Sequence, residues 1–135
     1  MVSVEYIAGF FDGEGCIIAD KNAFTVRLII TNTQREVLDE IQKVLGGSVR
    51  SKSVVGPNRQ PAWELRYGKR STVKHILELL RPYLVVKSVE AWLALEYMAL
   101  HDHCKSGKLR TDYDKALSYG FYLAIKGVKY DRASY

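Results

Sequence analysis

The first third of the chain shows two apolar periodicities, a helical one followed by an alternating one. Ser3 suits the N-cap of a helix, and four apolar residues follow it at helical spacing: Tyr6, Ile7, Phe10 and Phe11. In residues 24–32 apolar and polar side chains alternate, which is typical of a strand with one face in the core. Residues 16–20 predict a shorter strand before it, so the chain opens with a helix and a hairpin.

A capping-box pattern begins the next element. Thr33 is predicted to be the N-cap of a second helix, with Glu36 bonding back to it. Gly46-Gly47 is predicted to end this helix, because glycine accepts the backbone conformation found just beyond helix C-termini. Residues 48–55 and 62–67 then predict a second hairpin around a loop that contains glycine and proline.

The rest of the chain is predicted to be helical. Ser71 is expected to cap a third helix that ends before Pro82, and Ser88 to cap a fourth with Trp92 in the core. Residues 112–126 predict a final helix, and a basic tail follows it with Lys126, Lys129 and Arg132. The order α-β-β-α-β-β-α, followed by further helices, predicts an α+β fold with an antiparallel sheet and helices on one face. We expect a single domain over residues 1–135.

The other face of the predicted sheet is expected to be open, polar and partly basic. The alternation places seven side chains on it: Thr25, Arg27, Thr31, Arg50, Lys52, Glu64 and Arg66. A twisted polar sheet of this kind can lie in the major groove of DNA. The plainer alternative is a solvated sheet face that binds nothing.

Composition supports a polyanionic partner and indicates the cellular compartment. The chain has a formal net charge of +5 and an isoelectric point near 9.2. With only two cysteines, the chain is not expected to be held together by a framework of disulfides. No signal peptide or membrane span is evident in the sequence. We therefore expect an intracellular, soluble protein without a membrane partner.

The candidate chemistry lies in one segment, residues 7–15, with the sequence IAGFFDGEG. Asp12 and Glu14 stand among glycines at the end of an apolar helix, where carboxylates are uncommon unless a cation meets them. Gly9 and Gly13 are four residues apart, so they leave one face of the helix bare for a partner helix. The segment therefore predicts a metal site shared between two helices.

This segment resembles the signature of the LAGLIDADG homing endonucleases, in the small form that carries one motif per chain. The resemblance extends to the start of the second helix at Asn32-Thr33-Gln34-Arg35, to the stretch LRPYLVVK at residues 80–87, and to the element order. It implies the αββαββα fold of that family, with a saddle-shaped sheet. It also implies site-specific cleavage of double-stranded DNA.

The resemblance implies a role for particular residues. Glu14 would bind the metal together with the main-chain carbonyl of Gly13, and Mg²⁺ is the implied cation, with no small-molecule cofactor besides it. Gln34 would position solvent near the attacking water, and Lys87 would stabilise charge near the scissile phosphate. Leu38 stands where some relatives have a basic residue, a place that Arg35 could take. Glu14 replaces the aspartate of the family name.

One motif per chain implies an active homodimer on a near-palindromic DNA target. The residues implied at the dimer interface are Ala8, Gly9, Asp12 and Gly13. A chain of this length fits an intron-encoded gene better than an intein.

Three alternatives stay open at this point. Asp12 is interpreted as a structural acceptor of hydrogen bonds, with direct metal binding as the alternative. His101, His103 and Cys104 suggest zinc, but they do not complete a four-ligand site. The alternative function is a relative that binds nucleic acid without cutting it, either an intron maturase or a transcription factor.

Overall fold

The structure, a computed structural model of the chain, describes residues 1–21, 23–52, 56–57, 60–103 and 110–133. Within these ranges the α-helices are α1 (Val4–Glu14), α2 (Arg35–Leu45), α3 (Arg70–Leu80), α4 (Ser88–Ala99) and α5 (Asp112–Ala133). The strands are β1 (Gly15–Ala19), β2 (Val26–Asn32), β3 (Val49–Lys52) and β4 (Ala62–Tyr67). Short 3-10 helices follow α3 at Arg81–Tyr83 and α4 at Leu100–Asp102. The predicted α+β order and the additional C-terminal helix are confirmed.

The strands form one antiparallel sheet in the order β1-β2-β4-β3. Gly15 pairs with Ile30 at one end of the first hairpin, and Ala19 pairs with Val26 at the other. The second hairpin joins the first through β2 and β4, which form the centre of the sheet. Its first strand begins at Val49, one residue later than predicted, and residues 53–55 of the predicted strand lie outside the described residues.

One face of the sheet contacts the helices. Its inward side chains are completely or almost completely buried: Ile17, Ala19, Val26, Leu28, Ile30, Leu65 and Tyr67. Apolar side chains of the first three helices cover them, including Ile7, Phe11, Leu38, Ile41, Val73 and Ile76. Burial of this apolar surface is the main source of stability. Among the described residues, the opposite sheet face at β2, β3 and β4 has no helical cover.

Tyr67, the last residue of β4, is the one residue of this buried set with an acidic hydroxyl. Its hydroxyl donates a hydrogen bond of 2.9 Å to the carbonyl of Gly46, just beyond α2. Burial disfavours the phenolate and raises the pKa of Tyr67 to about 12. The bond ties the end of α2 to the central strand of the sheet.

Helix caps agree with the sequence at one end of the chain and differ elsewhere. Ser3 accepts the amide of Tyr6, as expected for the N-cap of α1. The capping box at Thr33 is wrong, since α2 has Gln34 as its N-cap and its amide donates to the side chain of Asn32 instead. A reciprocal box forms at α5, where Thr111 and Asp114 exchange two bonds of 3.1 Å.

The caps of α3 and α4 also differ from expectation. Ser71 is the second residue of α3 and Ser88 is the first residue of α4, so neither serine is an N-cap. The N-caps are Lys69 and Lys87, and neither contributes a side-chain cap. For α4 a carboxylate from α1 binds the amide of the N-cap residue itself, as described below.

Two features of the C-terminal helices differ from what the sequence predicted. Trp92 is 45% exposed, whereas Ala91, Ala94 and Tyr97 face the core. Because α4 is apolar on nearly all sides, its periodicity does not select the buried face. The predicted basic tail is part of α5, which continues to Ala133.

None of the helices in the described ranges is long and apolar enough to cross a membrane.

Candidate active site and nucleic-acid interface

Glu14 is the last residue of α1 and is exposed. The next residue, Gly15, begins β1 and donates its amide to the carbonyl of Phe11. A Cβ atom at Gly15 would lie 2.2 Å from Cδ2 of Phe11, so only glycine fits between the helix and its own aromatic side chain. The chain therefore turns sharply from helix to strand and leaves the carboxylate of Glu14 outside the core.

Asp12 joins the end of α1 to the beginning of α4. Its carboxylate accepts the amide of Val85 at 2.7 Å and the amide of Lys87 at 3.0 Å. Backbone amides at a helix N-terminus are not used within the helix, and a carboxylate there also meets the positive end of the helix dipole. Asp12 therefore binds the amide of Lys87, the N-cap residue of α4, and the amide of Val85 in the connection before it, which accounts for an acidic residue at this position.

Lys87 is held against the same helix end. Only 7% of the residue is exposed, and its Nζ donates to the main-chain carbonyl of Asp12 at 2.6 Å. That carbonyl belongs to the last turn of α1, where carbonyl groups have no helical partner. The ammonium group of Lys87 is therefore held at a carbonyl that lies two residues before Glu14.

Gln34 lies at the same end of the sheet. Gly15 pairs with Ile30, so the chain leaves α1 beside the end of β2, four residues before Gln34. Gln34 is exposed and is the N-cap of α2. The sheet register thus places Gln34 at the same end of the sheet as Glu14, and the bonds to Asp12 hold Lys87 against the end of α1.

The outer face of α1 is open at its glycines. A Cβ atom at Gly9 or Gly13 would meet nothing within 4 Å, and both residues are exposed. Tyr6 and Phe10 lie on the same face, with ring centroids 6.4 Å apart and Tyr6 49% exposed. Ala8 is a correction: it is completely buried within its own chain, so it has no surface to offer a partner.

The metal-ligating groups of one chain are few. No cluster of three or more His, Cys, Asp or Glu side chains that could hold a metal occurs in the part of the chain that the structure describes. Glu14 and the carbonyl of Gly13 are oxygen donors, which suit Mg²⁺, and they stand at the negative end of a helix dipole. This donor set fits the cation but supplies only part of its coordination. Of the zinc candidates, Cys104 lies outside the described residues.

The uncovered sheet face is partly neutralised by carboxylates. Arg27 forms an ion pair of 3.2 Å with Asp20, which also accepts a bond of 3.1 Å from the hydroxyl of Thr25. Arg66 pairs with Glu64 at 2.8 Å, and only 8% of Glu64 is exposed. The carboxylate of Glu64 therefore orients Arg66. Glu64 was predicted to contact DNA, and its burial leaves little surface for such a contact.

Two further exposed positive charges of this face lie on β3. Arg50 and Lys52 are exposed, and the register places Arg50 opposite Glu64 and Lys52 opposite Ala62. Thr31 is half-buried, directly across from Glu64 on β2. Sequence reasoning missed Asp20 on this face, although the two-residue period of β1 places it there.

Comparisons with known proteins give a consistent picture. A family model described as a LAGLIDADG-like domain matches residues 1–80. The chain is similar to the homing endonuclease I-CvuI, solved in complex with the I-CreI target in the presence of Mg with the DNA not cleaved. Identity is 25%, coverage is 93% of this chain and 80% of that one, and the TM-score is 0.73.

Two further structures extend this likeness. I-CvuI in complex with its target Sro1.3, in the presence of Ca, has 25% identity over 93% of this chain and 94% of that chain, with a TM-score of 0.57. The archaeal intron-encoded homing endonuclease I-Vdi141I, complexed with DNA, has 18% identity over 89% and 96% of the two chains and a TM-score of 0.54. The latter likeness shows the fold alone. None of the curated proteins matches the chain significantly.

Proposed function

The chain belongs to the LAGLIDADG homing endonuclease family, and on that premise we propose that it is a site-specific endonuclease that cuts both strands of DNA. In this proposal the enzyme requires Mg²⁺ and acts as a homodimer on a near-palindromic target. The observation that carries the proposal is the exposed carboxylate of Glu14, held at the end of a helix whose outer face is open.

The chemistry is assigned to three side chains and one carbonyl. Glu14 and the main-chain carbonyl of Gly13 would hold the cation through oxygen atoms, the donors that Mg²⁺ prefers. When bound there, the cation would supply positive charge against the scissile phosphate and a more acidic water. Lys87 presents an ammonium group anchored on Asp12, which places positive charge beside the phosphate at little cost in side-chain entropy. Gln34 orders water through its amide.

The open face of α1 supports the assignment of the dimer. Gly9 and Gly13 allow a second copy of the helix to approach closely, and Tyr6 and Phe10 supply apolar surface beside them. Two copies related by a two-fold axis bring two Glu14 carboxylates together, one for each DNA strand. This arrangement also explains why one chain offers so few metal ligands.

The uncovered sheet face is assigned to the DNA. Arg50 and Lys52 are free to contact phosphates, and Arg27 and Arg66 are oriented by their carboxylate partners. An arginine held in one orientation can discriminate bases, because its donors have a rigid geometry. The two-fold axis of the dimer gives each half of the target the same reader, so the target is near-palindromic.

The catalytic proposal is tested with a pool of DNA duplexes, Mg²⁺ and mapping of cut positions. Glu14→Gln should reduce cutting by at least about a thousandfold, since about 4 kcal/mol of charge stabilisation is lost, and binding should stay within about twofold. Glu78→Gln, which changes an exposed carboxylate on α3, is the matched control and should cut normally. Normal cutting by Glu14→Gln would refute the assignment. Wild-type protein that binds but never cuts would favour the non-cleaving alternative.

The dimer is tested separately by sedimentation. Gly9→Leu introduces a bulky side chain where the single chain has open space, so the fold should persist while the dimer dissociates and cutting is lost. Gly120→Leu, at an equally open glycine of α5, should leave the dimer intact. A dimeric, active Gly9→Leu protein would contradict the assigned interface.

A further inference from the structure

A buried phenol links the C-terminal helices to the connection between β1 and β2. Tyr97 on α4 is completely buried, and its hydroxyl contacts the main chain on both sides of this connection. It bonds to the carbonyl of Asp20 and to the amide of Phe24, the latter at 3.0 Å. Its third partner is the hydroxyl of Ser118 on α5, at 2.7 Å.

The chemistry of these partners assigns every proton. A carbonyl only accepts, so the Tyr97 hydroxyl donates to Asp20, and an amide only donates, so Phe24 donates to Tyr97. The single hydroxyl proton of Tyr97 is then used, and Ser118 must be the donor in the third bond. The phenol oxygen therefore makes one donated and two accepted bonds, which is its full capacity. Removal of this oxygen would leave two buried groups and one partly buried carbonyl without this partner.

The connection needs such support because Phe24 has an unfavourable backbone conformation. Its φ angle is +52°, in the left-handed region that residues other than glycine rarely occupy. Its ring packs on Tyr97 at a centroid distance of 5.3 Å, and the guanidinium of Arg110 lies 4.8 Å from the ring centroid. Nε of Arg70 donates to its carbonyl at 3.3 Å. The surrounding helices thus hold Phe24 in place.

The same connection carries side chains of the uncovered sheet face. Asp20, whose carbonyl is bound by Tyr97, uses its carboxylate to hold Thr25 and Arg27. The amide of Asp20 also bonds to the carbonyl of Thr25 at 3.0 Å. A shift of Asp20 would therefore move the guanidinium of Arg27, which lies on the face assigned to DNA.

We propose that Tyr97 is a positioning residue for DNA recognition: its hydroxyl, supported by Ser118, holds Asp20 and Phe24 so that Arg27 and Thr25 are pre-oriented for the outer part of each half-site. The inference rests on the proposed function. The five residues of β1 separate this connection from Glu14 by about 17 Å, at roughly 3.3 Å per residue. With the strands along the groove, that distance corresponds to about five base pairs outward from the cut.

The test combines Tyr97→Phe with a matched control, Tyr67→Phe. Both variants keep a buried ring and lose a hydroxyl that bonds to a main-chain carbonyl, but Tyr67 supports the end of α2. Each protein is used to select duplexes from a library randomised over the half-site, with Ca²⁺ replacing Mg²⁺ so that bound DNA is retained. Amide exchange at Phe24 is measured by NMR in the absence of DNA.

For Tyr97→Phe we expect about tenfold weaker binding, which corresponds to about 1.4 kcal/mol, and faster exchange at Phe24. Base preference should fall roughly threefold or more at positions about five base pairs from the cut, and the preference beside the cut should persist. Tyr67→Phe should keep the wild-type preference at both places. Ser118→Ala removes only the supporting bond and should show a smaller change at the same base pairs, which provides the test if Tyr97→Phe folds poorly.

Two results would count against this inference in different ways. A Tyr97→Phe protein that selects the wild-type sequence, despite faster exchange at Phe24, would overturn the positioning role and leave the proposed function intact. A loss of preference that is equal at all positions, and equal in Tyr67→Phe, would reduce Tyr97 to a general contribution to stability. Wild-type protein that selects no DNA sequence would overturn the proposed function itself.

Discussion

Replacement of Asp12 by alanine tests the link between α1 and α4. The variant removes the carboxylate that accepts the amides of Val85 and Lys87, while the main-chain carbonyl that binds Lys87 Nζ stays. We expect a marked loss of stability in protein without metal, because the amide of the α4 N-cap residue and the amide of Val85 before it lose their partner. If Asp12 were instead a metal ligand, the metal-free protein would keep its stability and lose only the stabilisation by Mg²⁺.

The size of the loss follows from these two bonds. A hydrogen bond to a charged group contributes about 1.5–3 kcal/mol, and alanine in place of a capping side chain costs about 0.5–2 kcal/mol. One of the two bonds is exposed and the other is partly buried, so we expect about 2 kcal/mol in total. An unfolding entropy of about 2.1 cal/mol/K per residue gives about 0.28 kcal/mol/K for 135 residues, and the melting temperature should fall by about 7 °C.

The assay is a thermal melt at one protein concentration, in chelator and again in Mg²⁺. Asp39→Ala is the matched control, since Asp39 forms an exposed pair of 3.6 Å with Arg35 and should change the melting temperature by less than about 2 °C. Asp12→Asn keeps one acceptor oxygen and should lose about half as much as Asp12→Ala. A melting temperature for Asp12→Ala in chelator equal to that of Asp39→Ala would refute the capping role.

Three further outcomes are expected. Gly15→Ala places a Cβ atom against the ring of Phe11 and should cost about 1–3 kcal/mol in urea unfolding, and unchanged stability would contradict this packing. The pKa of Tyr67 is raised to about 12, against about 10 in the unfolded chain, so its contribution to stability is full below pH 10 and is lost as the pH rises towards 12. The urea midpoint of the wild-type protein should therefore fall between pH 10 and pH 12 by an amount that Tyr67→Phe does not show. Arg50→Ala and Lys52→Ala should each lower the salt dependence of DNA binding by about one unit of log–log slope, and an unchanged slope would remove that residue from the phosphate contacts.

Capping illustrates how far a local pattern reaches. The Thr33 and Thr111 segments have similar cap patterns, yet only Thr111 forms the reciprocal box, with Asp114. At the other segment Asn32, the last residue of β2, accepts the amide of Gln34 and takes the place of the expected cap. Both candidate partners lie within a few residues, so the choice depends on the direction in which the strand delivers the chain.

Burial shows the same limit. Trp92 on α4 and Ala8 on α1 both have helical spacing, but the tryptophan is half exposed and the alanine is completely buried. A helix that is apolar on several sides offers more than one face to the core, and neighbouring helices determine which face is used. Glu64 has a strand position on the polar face, yet its pairing with Arg66 leaves it almost inaccessible.

The sequence by itself determined the element order, the α+β fold and the single acidic helix end, because periods of 2 and 3.6 residues and glycine positions are local properties of the chain. Only the tertiary structure decided what Asp12 and Tyr97 contact. Their main-chain partners lie 73 to 77 residues away along the chain, and no local pattern encodes them. These long-range bonds form because buried or helix-terminal backbone groups require partners once the helices have packed, and packing brings distant residues within reach.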